Sequence, residues 1–225
     1  MEFAAVVREL EKAGTAQTRK TFARHGIGPN MYGVLFGDLR KLAKKIGVDQ
    51  RLAEQLWKTG NHDCRMLATM IFDPDAIKKS TLNQWAKAGE SRCCQVLALA
   101  VAATPHAVEL SSKWCASKNE NENCAGWSTI AALAVGAGED DELDELFAAC
   151  LEAIEANLQS SPNFTKYVMN SALIAIGGRN SQLKKLALAA AKKIGKVEVD
   201  HGDTSCKTPE AAPYIAKIWA KKKKK

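Results

Sequence analysis

Asp38-Leu39-Arg40-Lys41-Leu42-Ala43-Lys44-Lys45-Ile46-Gly47 decides how the rest of the chain is read. Leu39, Leu42, Ala43 and Ile46 recur at the three- and four-residue spacing of one helix face. Asp38 is expected to cap the start, because a short oxygen-bearing side chain accepts the N–H groups left free there. Gly47 is expected to close the helix, since glycine tolerates the turn that ends one. Two basic pairs, Arg40-Lys41 and Lys44-Lys45, lie between these signals.

The same periodicity runs outward in both directions. Phe3 to Ala13 and Thr18 to His25 read as helices before this stretch. Leu52, Leu56 and Trp57 mark the next one after it, and Cys64 to Phe72 follows, stopping before Pro74. Leu82 to Ala88, Ser91 to Ala103, Ala107 to Ala116 and Asn123 to Val135 continue the pattern. Asp141 to Leu158, Phe164 to Ile176 and Gln182 to Ile194 extend it, and Pro209 is expected at the first position of a last helix. Val197-Glu198-Val199 alternates but is too short to found a sheet. About a dozen helices with short links predict an all-α fold, a HEAT-like α-solenoid or right-handed superhelix with a drifting period of about 35 to 45 residues. No linker is visible. Residues 1–220 are expected to be one domain, with Lys221 to Lys225 as a disordered tail.

Composition sets limits on function. Hydrophobic residues make up 46% and charged residues 25%, as in ordinary soluble proteins. The first twenty residues are charged and amphipathic, which argues against a secretory signal, and no apolar run reaches membrane-span length. Seven Cys without CxxC spacing, two of them adjacent at Cys93 and Cys94, predict reduced thiols and a cytoplasmic protein. The net charge of +7 owes five charges to Lys221 to Lys225, so the body carries only +2. Distribution says more than the total. Glu139 to Glu155 holds eight acidic residues and no basic one, while Lys184-Lys185 and Lys192-Lys193 add further basic pairs. An acidic back and a basic front suit a nucleic-acid partner, although any one charge run also reads as a solvated helix face.

Four sets of residues are candidates for function. Asn163, Lys166, Tyr167 and Asn170 share one helical face, and a face of Lys, Tyr and two Asn does not read as core. The loop from Asp200 to Lys207 gathers Asp200, His201, Asp203 and Cys206, but this spacing matches no familiar zinc pattern, so no metal is expected. Gly202, Thr204, Ser205 and Lys207 also suit a phosphate-binding turn, and the plain alternative is a packing loop that ties down the last helix. Asn61-His62-Asp63 reads as a helix cap, with His62 and Arg65 as possible surface contacts. Trp57, Trp85, Trp114, Trp127 and Trp219 lie on apolar stripes and read as core, with Trp127 also open to base stacking.

These segments, taken in order, resemble a bacterial branch of the DNA alkylation repair (AlkD-like) HEAT-repeat family. The likeness rests on Thr18-Arg19-Lys20, Arg24-His25-Gly26, Gly33-Val34 and Leu39 to Lys44. It continues in Leu56 to Ala68, Ala125-Gly126-Trp127, Asn163 to Asn170 and the loop from Val197 to Pro209. Coverage runs from about residue 3 to residue 218. The resemblance implies a concave basic surface that cradles duplex DNA by its backbone. It also implies, for active members, excision of alkylated purines by an aspartate, an arginine and tryptophans. Here Cys94 falls at the aspartate position, Cys124 at the arginine position, and Glu90 and Ser171 at tryptophan positions. Ser91 to Thr104 contains no carboxylate to stand in.

The expected function is therefore sequence-independent DNA binding by a repair-related monomer without the standard glycosylase activity or any cofactor. Arg40, Lys44, Lys166, Arg179 and Lys185 are the expected phosphate contacts. His62, Arg65, Trp127, Asn163, Tyr167, Asn170, His201, Thr204, Cys206 and Lys207 are further surface candidates. A glycosylase with altered residues is one alternative. A protein-interaction scaffold, or an unrelated enzyme centred on residues 200–207, is another.

Overall fold

Polar side chains start several helices by accepting the N–H groups that a first turn leaves unpaired. Thr15 accepts from the Thr18 amide, Asp49 from Leu52, Asn61 from both Asp63 and Cys64, and Asn180 from Leu183. The computed structural model describes residues 1–89, 91–136 and 141–222; among them there are thirteen α-helices and no strand. The helices are α1 (Phe3–Ala13), α2 (Ala16–Arg24), α3 (Phe36–Ile46), α4 (Gln50–Lys58), α5 (His62–Ile71), α6 (Lys79–Ala88) and α7 (Ser91–Val101). They continue as α8 (Ala107–Cys115), α9 (Glu120–Gly136), α10 (Asp141–Asn157), α11 (Asn163–Gly177), α12 (Ser181–Ile194) and α13 (Ala211–Lys222).

The all-α expectation is borne out, with local corrections. Asp38 does not cap α3. The helix starts at Phe36, and Asp38 sits in its first turn, where a carboxylate favours the positive end of the helix and holds Lys41 at 2.7 Å. Gly47 does close α3, at φ 78°. Asn119 accepts from the Glu122 amide, so α9 begins three residues before the expected Asn123. Pro209 is not at the first position of α13. Tyr214 N bonds back to Glu210 O, so the cap is Glu210 and Pro209 lies outside the helix. Lys221 and Lys222 are helical; residues 223–225, which carry the rest of the expected tail, lie outside the described residues.

The chain divides into two compact units. One holds residues 1–106 with 201–205, the other residues 107–200 with those from 206 onward. In the first, α5 packs against α3, α4 and α7, and α1 lies against α4 and α5. Its core is Leu10, Leu39, Leu56, Leu67, Ile71, Leu82 and Leu97, all at most 2% exposed. In the second, α11 packs against α9, α12 and α13, while α8 pairs with α9 and α10 with α12. Alternate helices thus stand side by side in rows, and each row buries the apolar stripes of the other. The crossing of α8 and α9 depends on Gly126: a Cβ there would lie 2.5 Å from the Cys115 backbone nitrogen. Trp57, Trp85, Trp114 and Trp127 are buried, as expected of core residues, and Trp219 is half-buried. All seven cysteines are free thiols. Among the described residues no helix is long and apolar enough to cross a membrane.

Candidate nucleic-acid interface

In the first unit the start of α5 organises the polar groups. Asn61 is its N-cap, as the sequence indicated. Asp63 is fully buried and spends its carboxylate on the 32–34 segment: Oδ2 accepts from Tyr32 N at 2.6 Å and Gly33 N at 2.9 Å, and Oδ1 from Val34 N at 3.0 Å. His62 is only 2% exposed, edge-on to Phe22, with Nδ1 3.7 Å from Cys93 Sγ. It is a packed core histidine in this arrangement, which corrects its reading as a surface contact. Arg65 keeps its guanidinium 5.1 Å over Trp57 and donates to Ala88 O at 3.0 Å. Trp57 is in turn stacked on Trp85 at 4.5 Å. Arg40 and Lys44 are exposed on α3, and neither has an ion-pair partner among the described residues.

Neither of the two positions matched to a charged catalytic group, Cys94 and Cys124, holds a carboxylate or a guanidinium. Cys94 is fully buried on α7, its sulfur 3.8 Å from Ala86 O. Cys124 is 1% exposed and 3.5 Å from Thr165 Oγ1. Burial pushes its thiol up to about 11, so it is neutral at physiological pH. Ser171 donates to Tyr167 O one turn back on α11. Glu90 lies outside the described residues.

In the second unit the shared face of α11 splits. Asn163 is exposed; its Nδ2 donates to Asp200 O at 2.7 Å and its Oδ1 accepts from Asp200 N at 2.8 Å. Asn170 is fully buried and donates to Pro209 O at 2.9 Å. The expectation that this face is a free surface therefore fails at Asn170, because the main chain at Pro209 covers it. Lys166 and Tyr167 are half-buried, Tyr167 beside the Phe164 ring. Trp127 is buried as well, so it offers no open face for a base; it lines a cavity of about 540 Å³ with Cys115, Asn123, Cys150 and Met169.

The basic candidates divide in the same way. Lys185 is exposed and unpaired among the described residues. Arg179 is not available to a phosphate as placed: its side chain is 7% exposed, bonded to Asp144 at 2.5 Å and packed over Phe147. Asn180 bonds the same carboxylate. Cys206 and Lys207 are exposed, while His201 and Thr204 are half-buried. Thr204 folds back on its own loop, Oγ1 donating to His201 O. Among the described residues no three His, Cys, Asp or Glu side chains converge as metal ligands would. Sequence reading missed Asp63 and Asp144. Their partners stand some 30 residues away in the chain, and no local pattern marks such a pairing.

A family model described as DNA alkylation repair enzyme matches residues 6–215. An uncharacterized protein of Listeria innocua is 30% identical over 216 residues, covering 93% of each chain. A counterpart from Listeria monocytogenes is 29% identical over the same span and coverage. One solved structure superimposes with a TM-score of 0.88 at 30% identity, covering 99% of this chain and 95% of that one. It is described as representing a new family of proteins related to the HEAT-like repeat DNA glycosylases, with affinity for branched DNA structures.

Proposed function

The chain belongs to the DNA alkylation repair family, and from that premise we propose that it binds DNA through backbone contacts, as a monomer, without the standard glycosylase reaction. The observation that carries the second half is the pair of buried thiols at Cys94 and Cys124. Scission of an alkylated purine builds positive charge on the sugar, which a preorganised carboxylate stabilises. A neutral buried thiol supplies no such charge. The first half draws support from the fold and from the exposed Arg40, Lys44 and Lys185, which have no ion-pair partner among the described residues. The HEAT-like relative with affinity for branched DNA makes branched substrates the first to try.

The test is one panel of single-stranded, duplex and branched DNA, with affinity measured across a salt series. Release of alkylated adenine and guanine is measured on the same duplex. Salt-sensitive binding with no base release is expected. Release that Glu90→Gln abolishes in a folded protein would replace this reading with that of an altered glycosylase. Binding to none of these DNAs would remove it altogether.

A further inference from the structure

We propose that Asn30, Gly60 and Arg65 form a cradle for one phosphate group of a nucleic-acid strand, an inference that rests on the DNA-binding reading above. Gly60 adopts φ 68°, just before α5. A Cβ built there would lie 3.6 Å from Asn30 Nδ2 and 3.9 Å from Arg65 Nη2, with no other neighbour within 4 Å apart from the adjoining chain. Two N–H donors from different parts of the chain therefore face one gap that a side chain would fill.

A sequence of hydrogen bonds fixes how they face it. The free amides of α5 require the oxygen of Asn61, which accepts from Asp63 N and Cys64 N. That leaves the Asn61 nitrogen to donate, and it does so to Asn30 Oδ1 at 3.3 Å. The Asn30 carboxamide is thereby oriented with its own NH₂ toward the gap. His62 N holds the Asn30 main chain through its carbonyl at 2.9 Å. Nothing among the described residues takes up the Asn30 NH₂.

Arg65 is prepared in the same way. The Trp57 ring supports its plane and Ala88 O takes one Nη1 hydrogen. Its Nη2, the nitrogen beside the gap, has no hydrogen-bond partner among the described residues, and no carboxylate among them pairs with the guanidinium. Asp63, the nearest acidic residue in the chain, is committed to the 32–34 segment. A planar guanidinium with unmet donors, held still by an indole, suits the oxygens of a phosphate better than a mobile lysine does.

The experiment uses the full chain and fluorescence anisotropy with labelled branched and duplex DNA at several salt concentrations. Arg65→Gln is expected to weaken binding about tenfold. It should also flatten the slope of log K against log salt by about 0.9, the loss of one phosphate contact. Asn30→Ala, at an exposed position, is expected to weaken binding a few-fold with the slope unchanged. Arg65→Lys should keep the slope and lose affinity. Single methylphosphonate replacements along one strand should locate a position that hurts the wild type and leaves Arg65→Gln indifferent.

Unchanged affinity and slope in folded Asn30→Ala and Arg65→Gln would overturn the cradle while leaving DNA binding in place. If the wild type binds no DNA, inorganic phosphate decides. A tryptophan fluorescence change that Arg65→Gln abolishes would uphold the cradle without the DNA reading. No change would sink both. Should Arg65→Gln fail to fold, Arg65→Lys and Asn30→Ala decide: unchanged affinity in both would overturn the cradle.

Discussion

Replacing Asp63 by Ala should unfold the protein more readily than any surface change, and its cost can be worked from the three hydrogen bonds. The carboxylate accepts from Tyr32, Gly33 and Val34 at 2.6, 2.9 and 3.0 Å, two of them in buried surroundings. A hydrogen bond to a charged acceptor contributes about 1.5–3 kcal/mol net, and a buried N–H left unpaired costs about 1–3 kcal/mol. These figures overlap, and water can reach the part-buried Tyr32 amide. Asp63→Ala is therefore expected to cost about 4 kcal/mol. Asp63→Asn should cost about half as much, since its oxygen can still accept while its NH₂ meets a facing N–H. Urea denaturation followed by tryptophan fluorescence and by circular dichroism gives both values. The 32–34 segment adjoins Asn30, so affinity for DNA should also drop at urea concentrations where the variant is still folded. A loss below about 1 kcal/mol for Asp63→Ala would refute the view that this carboxylate organises the segment.

Arg179→Ala is expected to cost about 2 kcal/mol, reduced from the full penalty of a buried pair because Asp144 keeps 29% of its side chain exposed; chemical denaturation of single and double variants measures the coupling. Burial raises the Cys64, Cys124 and Cys150 thiols to about 11 from 9, so the folded state holds these protons more tightly than the unfolded state. The stability they favour is complete below pH 9 and is lost as pH rises from 9 through 11, so the urea midpoint should fall across that window, and less steeply in Cys124→Ala. Gly126→Ala should weaken the α8–α9 packing, where backbone cannot give way, and lower the melting temperature by several degrees. Cys94→Asp should release no alkylated base and should be less stable than the wild type, because the new carboxylate would be buried without a partner.

The helices were legible because each carries its own period, and their boundaries were legible where a cap stood in plain view, as at Asn61 and Gly47. They were misjudged where two signals competed. Asp38 has the chemistry of a cap, yet the helix runs back to Phe36 and the carboxylate serves the first turn instead. The shared face of α11 was legible as a pattern, but whether a face meets water or main chain depends on what returns to cover it. Pro209 returns 39 residues later and seals Asn170. Arg179 was misplaced for the same reason: its partner Asp144 lies two helices earlier, inside an acidic run that reads as solvated surface. Asn30 gave no signal, since the orientation of its carboxamide follows from its bond to Asn61 rather than from residue type.

Asn163 and Asn170 lie two helical turns apart on α11, and they grip the chain at Asp200 and at Pro209. The span between those two grips is set by the pitch of a helix, about 10 Å, and owes nothing to the residues from 201 to 208. The excursion between them is thus a cassette with fixed mounting points. Doubling its length would add only about 0.6 kcal/mol of closure cost. A peptide tag or a crosslinking residue inserted between the two grips would leave α11 holding both ends.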